Sequence, residues 1–224
     1  MNEKALVGRW KVIKLPHEKF PELKEKREKV DNYCDKLLEA GQNAVGYKKL
    51  YNMDFLVIGV VKRSVDLVGG FILTIDNWNF ISAAPIIRMQ LDTLLRLIYI
   101  SKISPKEAEY LINHIMDGKR LNHLKDPKGK KLNDSLLRKY AEKYFPRVND
   151  VYEQTSKFIH FSERHMFGSI YNINNKKRIV KFAIYKGSYN VQKQDVIEYY
   201  DVFITITDTI IKFINTWGTI KRGS

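Results

Sequence analysis

Apolar positions recur with a helical period over most of the chain. Residues Ser82–Ser101, SAAPIIRMQLDTLLRLIYIS, are apolar around most of a helical circumference and predict a buried central helix. Three charges interrupt it: Arg88, Asp92 and Arg96. They are four apart and so form one row along one face. Asp54–Ile75 predicts a second long apolar helix, with Gly59, Gly69 and Gly70 placed for close helix–helix approach or, at Gly69-Gly70, for a kink. Ser104-Pro105-Lys106-Glu107 is a capping box with Pro at the first helical position, opening a helix to about Asp117 that Gly118 stops. The same reading predicts helices from Pro21 to Ala40, ending near Gly41, and from Asp134, as its N-cap, to Tyr144. Two more run from Val148 to His160 or Phe161 and from Lys193 to Trp217, the last broken by Gly218. Pro85 is placed in the first turn of the central helix.

The period changes once. Ser169–Asn174 and Arg178–Tyr185 are rich in β-branched and aromatic residues around Asn174-Asn175-Lys176, and predict a small β-hairpin over 169–186. Residues 1–20 read as an N-terminal arm with an apolar cluster at Leu6, Val7, Trp10, Val12 and Ile13. There is no internal repeat and no low-complexity linker. The expected architecture is therefore mainly α: a single multi-helix bundle over 1–224, with a β-hairpin before the C-terminal helix.

Charge alters this picture more than composition does. Lys plus Arg number 39 against 25 acids, a formal +14, which favours polyanionic partners. The single cysteine, Cys34, excludes a disulfide framework and a cysteine-rich zinc site. MNEKALVGRW has no apolar h-region, so no secretory signal is expected. Lys62, Arg63 and Asp66 in one apolar helix, and the Arg88 row in the other, argue against membrane spans and for a cytoplasmic protein. No phosphate loop, dinucleotide fingerprint, nucleophile elbow or Cys-x-x-Cys pair occurs.

Three stretches carry candidate chemistry. In the first, Arg88 and Arg96 bind a phosphate or carboxylate with Asp92 holding one of them, or the three charges form an internal ladder. The second is TSKFIHFSERH, where Ser156 and His160 share a helix face and Ser162, Glu163, Arg164 and His165 follow. His160 is then an acid–base group near neutral pH, or a core histidine bonded to a neighbouring helix. The third is the irregular KRLNHLKDPKGKKLN, 119–133, whose Lys125, Lys128, Lys130 and Lys131 face a single acid, Asp126. With Arg164, the segment Arg138–Arg147 and the hairpin bases Lys176, Lys177, Arg178 and Lys181 it forms a candidate nucleic-acid face, or else a solvated loop and a solvated hairpin. Tyr140, Tyr144, Tyr171 and Tyr185 are candidate stacking groups. No metal and no cofactor are expected.

The run Ile86–Ile100, followed later by VYEQTSKFIHFSERH, resembles a group of uncharacterised bacterial all-helical proteins. These have an Arg-bearing central helix and a later Ser-x-x-x-His helix, and the likeness covers roughly residues 54 to 165. More distantly the chain is similar to HEPN domains, helical bundles that often act as metal-independent ribonucleases in toxin–antitoxin and phage-defence systems. Their motif is an Arg followed several residues later by His. Here Arg120 and His123 are closer than that, and Arg164 adjoins His165. The resemblance implies a helical bundle, and the first reading of the residues is a protein acting on RNA, as a metal-independent ribonuclease with catalytic roles expected at His160, Arg88, Arg96 and Asp92. Two other readings stand beside it: an interaction module for an acidic protein, with a homodimer left open, and a small-anion sensor.

Overall fold

The central helix is held in place by apolar packing over most of its circumference. In the computed structural model, α5 (Phe80–Ile100) has fourteen of its 21 residues buried, so most of its circumference needs a partner. It packs against α4 (Asn52–Asp76), α7 (Asp134–Ala141), α8 (Val148–Ile159) and α10 (Lys193–Arg222). The structure describes residues 14–46, 49–126, 128–160, 162–167, 169–182 and 191–223, the side chains of Glu163, Arg164 and Tyr171 excepted. The apolar cluster of the arm, Leu6 to Ile13, lies outside them. So do Tyr185 and the end of the expected second strand. The remaining helices are α1 (Pro16–Lys19), α2 (Lys24–Asp31), α3 (Tyr33–Val45), α6 (Pro105–Met116) and α9 (Glu163–Phe167). Before α10 stands a two-stranded antiparallel hairpin, β1 (Ile170–Asn174) and β2 (Ile179–Phe182), with a register shift between Ile170 and Asn172. The architecture is thus mainly helical, as the hydrophobic period predicts. Among the described residues no helix is long and apolar enough to cross a membrane.

One cluster of buried apolar side chains runs from Leu23 to Ile214. At its centre Phe71 of α4 stacks on Phe203 of α10, ring centroids 4.1 Å apart, with Tyr200 edge-on at 5.7 Å. Gln90 Nε2 of α5 donates across to Thr207 Oγ1 of α10 at 3.3 Å, while the buried Gln90 Oε1 has no hydrogen-bond partner among the described residues.

Several boundaries differ from expectation for reasons visible in the packing. The expected Pro21–Ala40 helix is a short 3-10 turn, Pro21–Leu23, followed by α2 and α3, which meet at Asn32. Helix α5 starts at Phe80, because Asn79 caps it by accepting from the Ser82 amide (3.2 Å); Pro85 therefore lies inside the helix rather than in its first turn. Gly41 and Gly218 end nothing. A Cβ on Gly41 would stand 3.0 Å from Val61 Cγ2, and one on Gly218 would stand 3.0 Å from the Ala44 Cα. Both glycines let helices approach, and tertiary contact outweighs their poor helix propensity. The glycines expected in that role fare differently: Gly59 and Gly69 have nothing within 4 Å of a would-be Cβ, and Gly70 meets only Ile86. Gly218→Val is therefore expected to destabilise the fold by about 1–3 kcal/mol through overpacking against Ala44. Gly59→Ala should be neutral or slightly stabilising. Urea unfolding of the two variants checks both.

Candidate functional site

Arg88, Asp92 and Arg96 lie in one row on α5, and the main acceptor for Arg88 comes from α7. Asp134 is not the N-cap of that helix. Asn133 caps it, its side chain accepting from the Leu136 amide at 3.0 Å, and this leaves the Asp134 carboxylate free to turn toward α5. Arg88 Nη2 donates to Asp134 Oδ2 at 2.7 Å, and Arg88 Nη1 lies 3.8 Å from Asp92 Oδ1. Arg96 pairs with the Asp92 carboxylate, donates to the Asp92 carbonyl at 3.1 Å, and stands 4.0 Å from Asp134 Oδ1. Arg63 of α4 adds a third guanidinium, 4.0 Å from Asp92 Oδ2, and its Nε donates to Thr93 Oγ1 at 3.0 Å.

Tyr152 of α8 completes the cluster. Its hydroxyl donates to Asp134 Oδ2 at 2.9 Å. The guanidinium groups of Arg88 and Arg138 lie over its ring, 3.9 and 4.1 Å from the centroid. Such stacking adds cation–π attraction to the ion pairs. Arg138 is itself paired with Glu153 at 3.0 Å. The four arginines thus share three carboxylates, Asp92, Asp134 and Glu153, and the row braces α5 against α4, α7 and α8. The Nε atoms of Arg88 and Arg138 are buried with no hydrogen-bond partner among the described residues.

His160 is not part of this arrangement. It caps the C-terminus of α8, where its amide donates to the Ser156 carbonyl at 3.4 Å. Its side chain is exposed, which overturns the core-histidine reading, and it has no partner among the described residues. The helices bearing Arg88 and His160 do face each other, but through Tyr152, about two turns earlier on α8. His165 is half-buried and accepts at Nδ1 from the Ser162 amide, 3.1 Å away.

The basic stretch 119–133 is more ordered than its composition predicts. Leu121–His123 form a 3-10 turn, and Lys125 and Lys131 make an antiparallel bridge. The Asp126 amide donates to the Lys130 carbonyl at 2.7 Å. Asp126 Oδ1 accepts from the amides of Lys128 (3.0 Å) and Lys130 (2.7 Å). Gly129 takes the left-handed φ of +77° that closes the turn. Leu121 and Leu132 are buried and anchor the two ends. The one acid of the loop is thus turned inward, 7% exposed, as the loop's own hydrogen-bond acceptor. Lys125, Lys128, Lys130 and Lys131 are all exposed, and none makes an ion pair among the described residues.

A cavity of about 260 Å³ lies between this loop, the end of α5 and α6. Tyr99, Ile103, Leu111 and Leu132 form its apolar lining, and Glu107, Tyr110, Lys125 and Asp126 its polar part. Tyr99 is 1% exposed, edge-on to Tyr140 with centroids 4.9 Å apart. Burial, then the neighbouring Tyr140, Asp126 and Glu107, push its phenol up to about 12, so it stays protonated near neutrality. Comparison with family models, with curated protein sequences and with solved structures finds no match. The functional reading therefore rests on geometry.

Among the other candidates, Lys176, Lys177, Arg178 and Lys181 are exposed on the hairpin, where Asn174 Oδ1 accepts from the Lys177 amide at 3.0 Å. The side chains of Arg164 and Tyr171 are not described. Tyr144 packs on Phe213, centroids 5.4 Å apart, rather than standing free as a stacking group. Asp134, Tyr152 and Tyr99 are not marked for chemistry by the sequence pattern. Glu107 and Tyr110, three apart on a capped helix, share a face, and that signal is visible in the chain. Tyr99 sits in an apolar run with nothing to mark it.

Proposed function

We propose that the protein binds nucleic acid, RNA in the first place, through the loop 125–131. The observation that carries this is the loop's construction. Four exposed lysines, without ion pairs among the described residues, stand on a turn whose only acid is buried and accepts at Oδ1 from the turn's own amides. Cations held this way meet a phosphate backbone without first breaking ion pairs, and the ordered turn loses little conformational freedom on binding. The cytoplasmic location expected from the sequence fits an RNA partner. The reading is of binding. Cleavage needs a proton shuttle beside the arginines, and Tyr152 rather than His160 occupies that place.

The test is a salt titration. Single-stranded RNA binding, followed by fluorescence anisotropy, should weaken linearly in log–log form as salt rises. Changing Lys125, Lys128, Lys130 and Lys131 together to Gln should lower the slope by about 2–3 and affinity at moderate salt at least about tenfold, at roughly 0.7 of slope for each phosphate no longer neutralised. Asp126 and Gly129 remain, so the turn should persist. An unchanged slope, or no binding by the native protein at low salt, would overturn the proposal.

A further inference from the structure

We infer that the cavity beneath the lysine loop receives one amino-bearing nucleobase, turned out of the strand whose phosphates the loop holds, and discriminates against uracil. This rests on the nucleic-acid reading above and adds to it a pocket and a base preference.

Size comes first. At about 260 Å³ the cavity falls below the range of roughly 300–1,000 Å³ typical of pockets for larger ligands, and suits one planar ring. Next is the stacking surface. Tyr110 lines the cavity while remaining 61% exposed, its ring tilted beside His114 with centroids 6.4 Å apart. An exposed aromatic ring next to a cationic loop is the usual pairing for an unstacked base and its phosphate.

Hydrogen-bonding capacity supplies the preference. Glu107 uses Oε2 for the Ser104 amide (3.1 Å) and hydroxyl (2.7 Å), and Oε1 makes no hydrogen bond among the described residues. Asp126 uses Oδ1 for two loop amides and leaves Oδ2 without a hydrogen bond among those residues. The Tyr99 hydroxyl, on a side chain almost wholly buried, also has no hydrogen-bond partner among the described residues. The cavity wall therefore offers carboxylate oxygens that only accept and a phenol that donates.

Adenine and cytosine each present an amino donor beside a ring-nitrogen acceptor, and guanine presents its amino group and N1–H beside a carbonyl. All three offer at least two N–H bonds to the two carboxylates and an acceptor to the phenol. Uracil has a single N3–H between two carbonyl oxygens, so it can donate to only one of the two carboxylates and leaves the other without a donor. A free cation is a poorer occupant, because Lys125 lines the same cavity and three more exposed lysines follow on the loop.

The experiment compares short oligo(A), oligo(C) and oligo(U) by anisotropy at one salt concentration. The native protein should bind oligo(A) and oligo(C) about 5- to 50-fold more tightly than oligo(U). Tyr110→Ala should weaken oligo(A) binding by about 5- to 50-fold without changing the salt slope. Tyr110→Phe should bind as the native protein does. Glu107→Gln keeps the capping box, since Gln serves at that position, and should narrow the preference for oligo(A) over oligo(U). Equal binding of all three oligomers, or full affinity in Tyr110→Ala, overturns the pocket while leaving lysine-dependent binding in place. Binding of none of them at low salt overturns the nucleic-acid reading and the pocket with it.

Discussion

Replacing Asp54 with Ala is expected to cost about 3–5 kcal/mol of folding stability, because it strands a buried ammonium. Asp54 is fully buried and Lys221 is 8% exposed. Lys221 Nζ donates to Asp54 Oδ2 at 2.7 Å and to the Val45 carbonyl at 3.2 Å. The Trp217 indole donates to Asp54 Oδ1 at 2.8 Å, and the Tyr51 amide to Oδ2 at 2.8 Å. One carboxylate thus joins the end of α3, the start of α4 and the last turns of α10. Against a total stability of about 5–15 kcal/mol for a typical domain, the loss is large. The paired change Asp54→Leu with Lys221→Met should recover most of it, since both charges then disappear together. An unfolding free energy for Asp54→Ala, measured by urea titration, within about 1 kcal/mol of the native value would show that the pair contributes little.

The same pair sets a pH dependence. Burial alone would raise the Asp54 carboxyl. The Lys221, Tyr51 and Trp217 donors outweigh that and hold it below its ordinary value. A carboxyl lowered in the folded state contributes stability that is fully present above its unfolded value and is lost as pH falls through the folded one. The Asp54 contribution should therefore be intact at neutral pH and disappear only below the usual aspartate range. Stability measured at falling pH in Asp54→Ala should lack that component of the native acid transition.

Sequence patterning reaches as far as local physics decides the outcome. The helical period locates the long helices, and the Ser104–Glu107 capping box locates the start of α6, because both signals are contained in neighbouring residues. Gly41 and Gly218 carry the local signal of helix ends and end none, because there an approach between distant helices overrides a local preference. The Arg88–Asp92–Arg96 row is legible as a row, since a four-residue spacing fixes the face. Its partners are not. Asp134 is free to bind Arg88 only because Asn133 takes the capping role, and Tyr152 is brought in by the docking of α8. The charge of the lysine loop can be read directly. Its order depends on Asp126 turning inward, which the anchoring of Leu121 and Leu132 decides.

Arg88→Met is expected to lower stability by about 2–3 kcal/mol and to leave RNA affinity unchanged within about twofold. The Arg88 side chain is 9% exposed, and its loss removes the 2.7 Å bond to Asp134 and the stack on Tyr152. The cost falls short of that for a fully buried pair because Asp134, 34% exposed, can recover water and keeps the Tyr152 hydroxyl and the distant Arg96. If the row is a brace, stability and binding separate: the variant unfolds at lower urea but the folded protein binds RNA normally. If the row instead holds the ligand, affinity falls by about tenfold or more at concentrations of urea where the variant is still folded. Measuring both on one preparation decides between a helix that organises the fold and a helix that also meets the ligand.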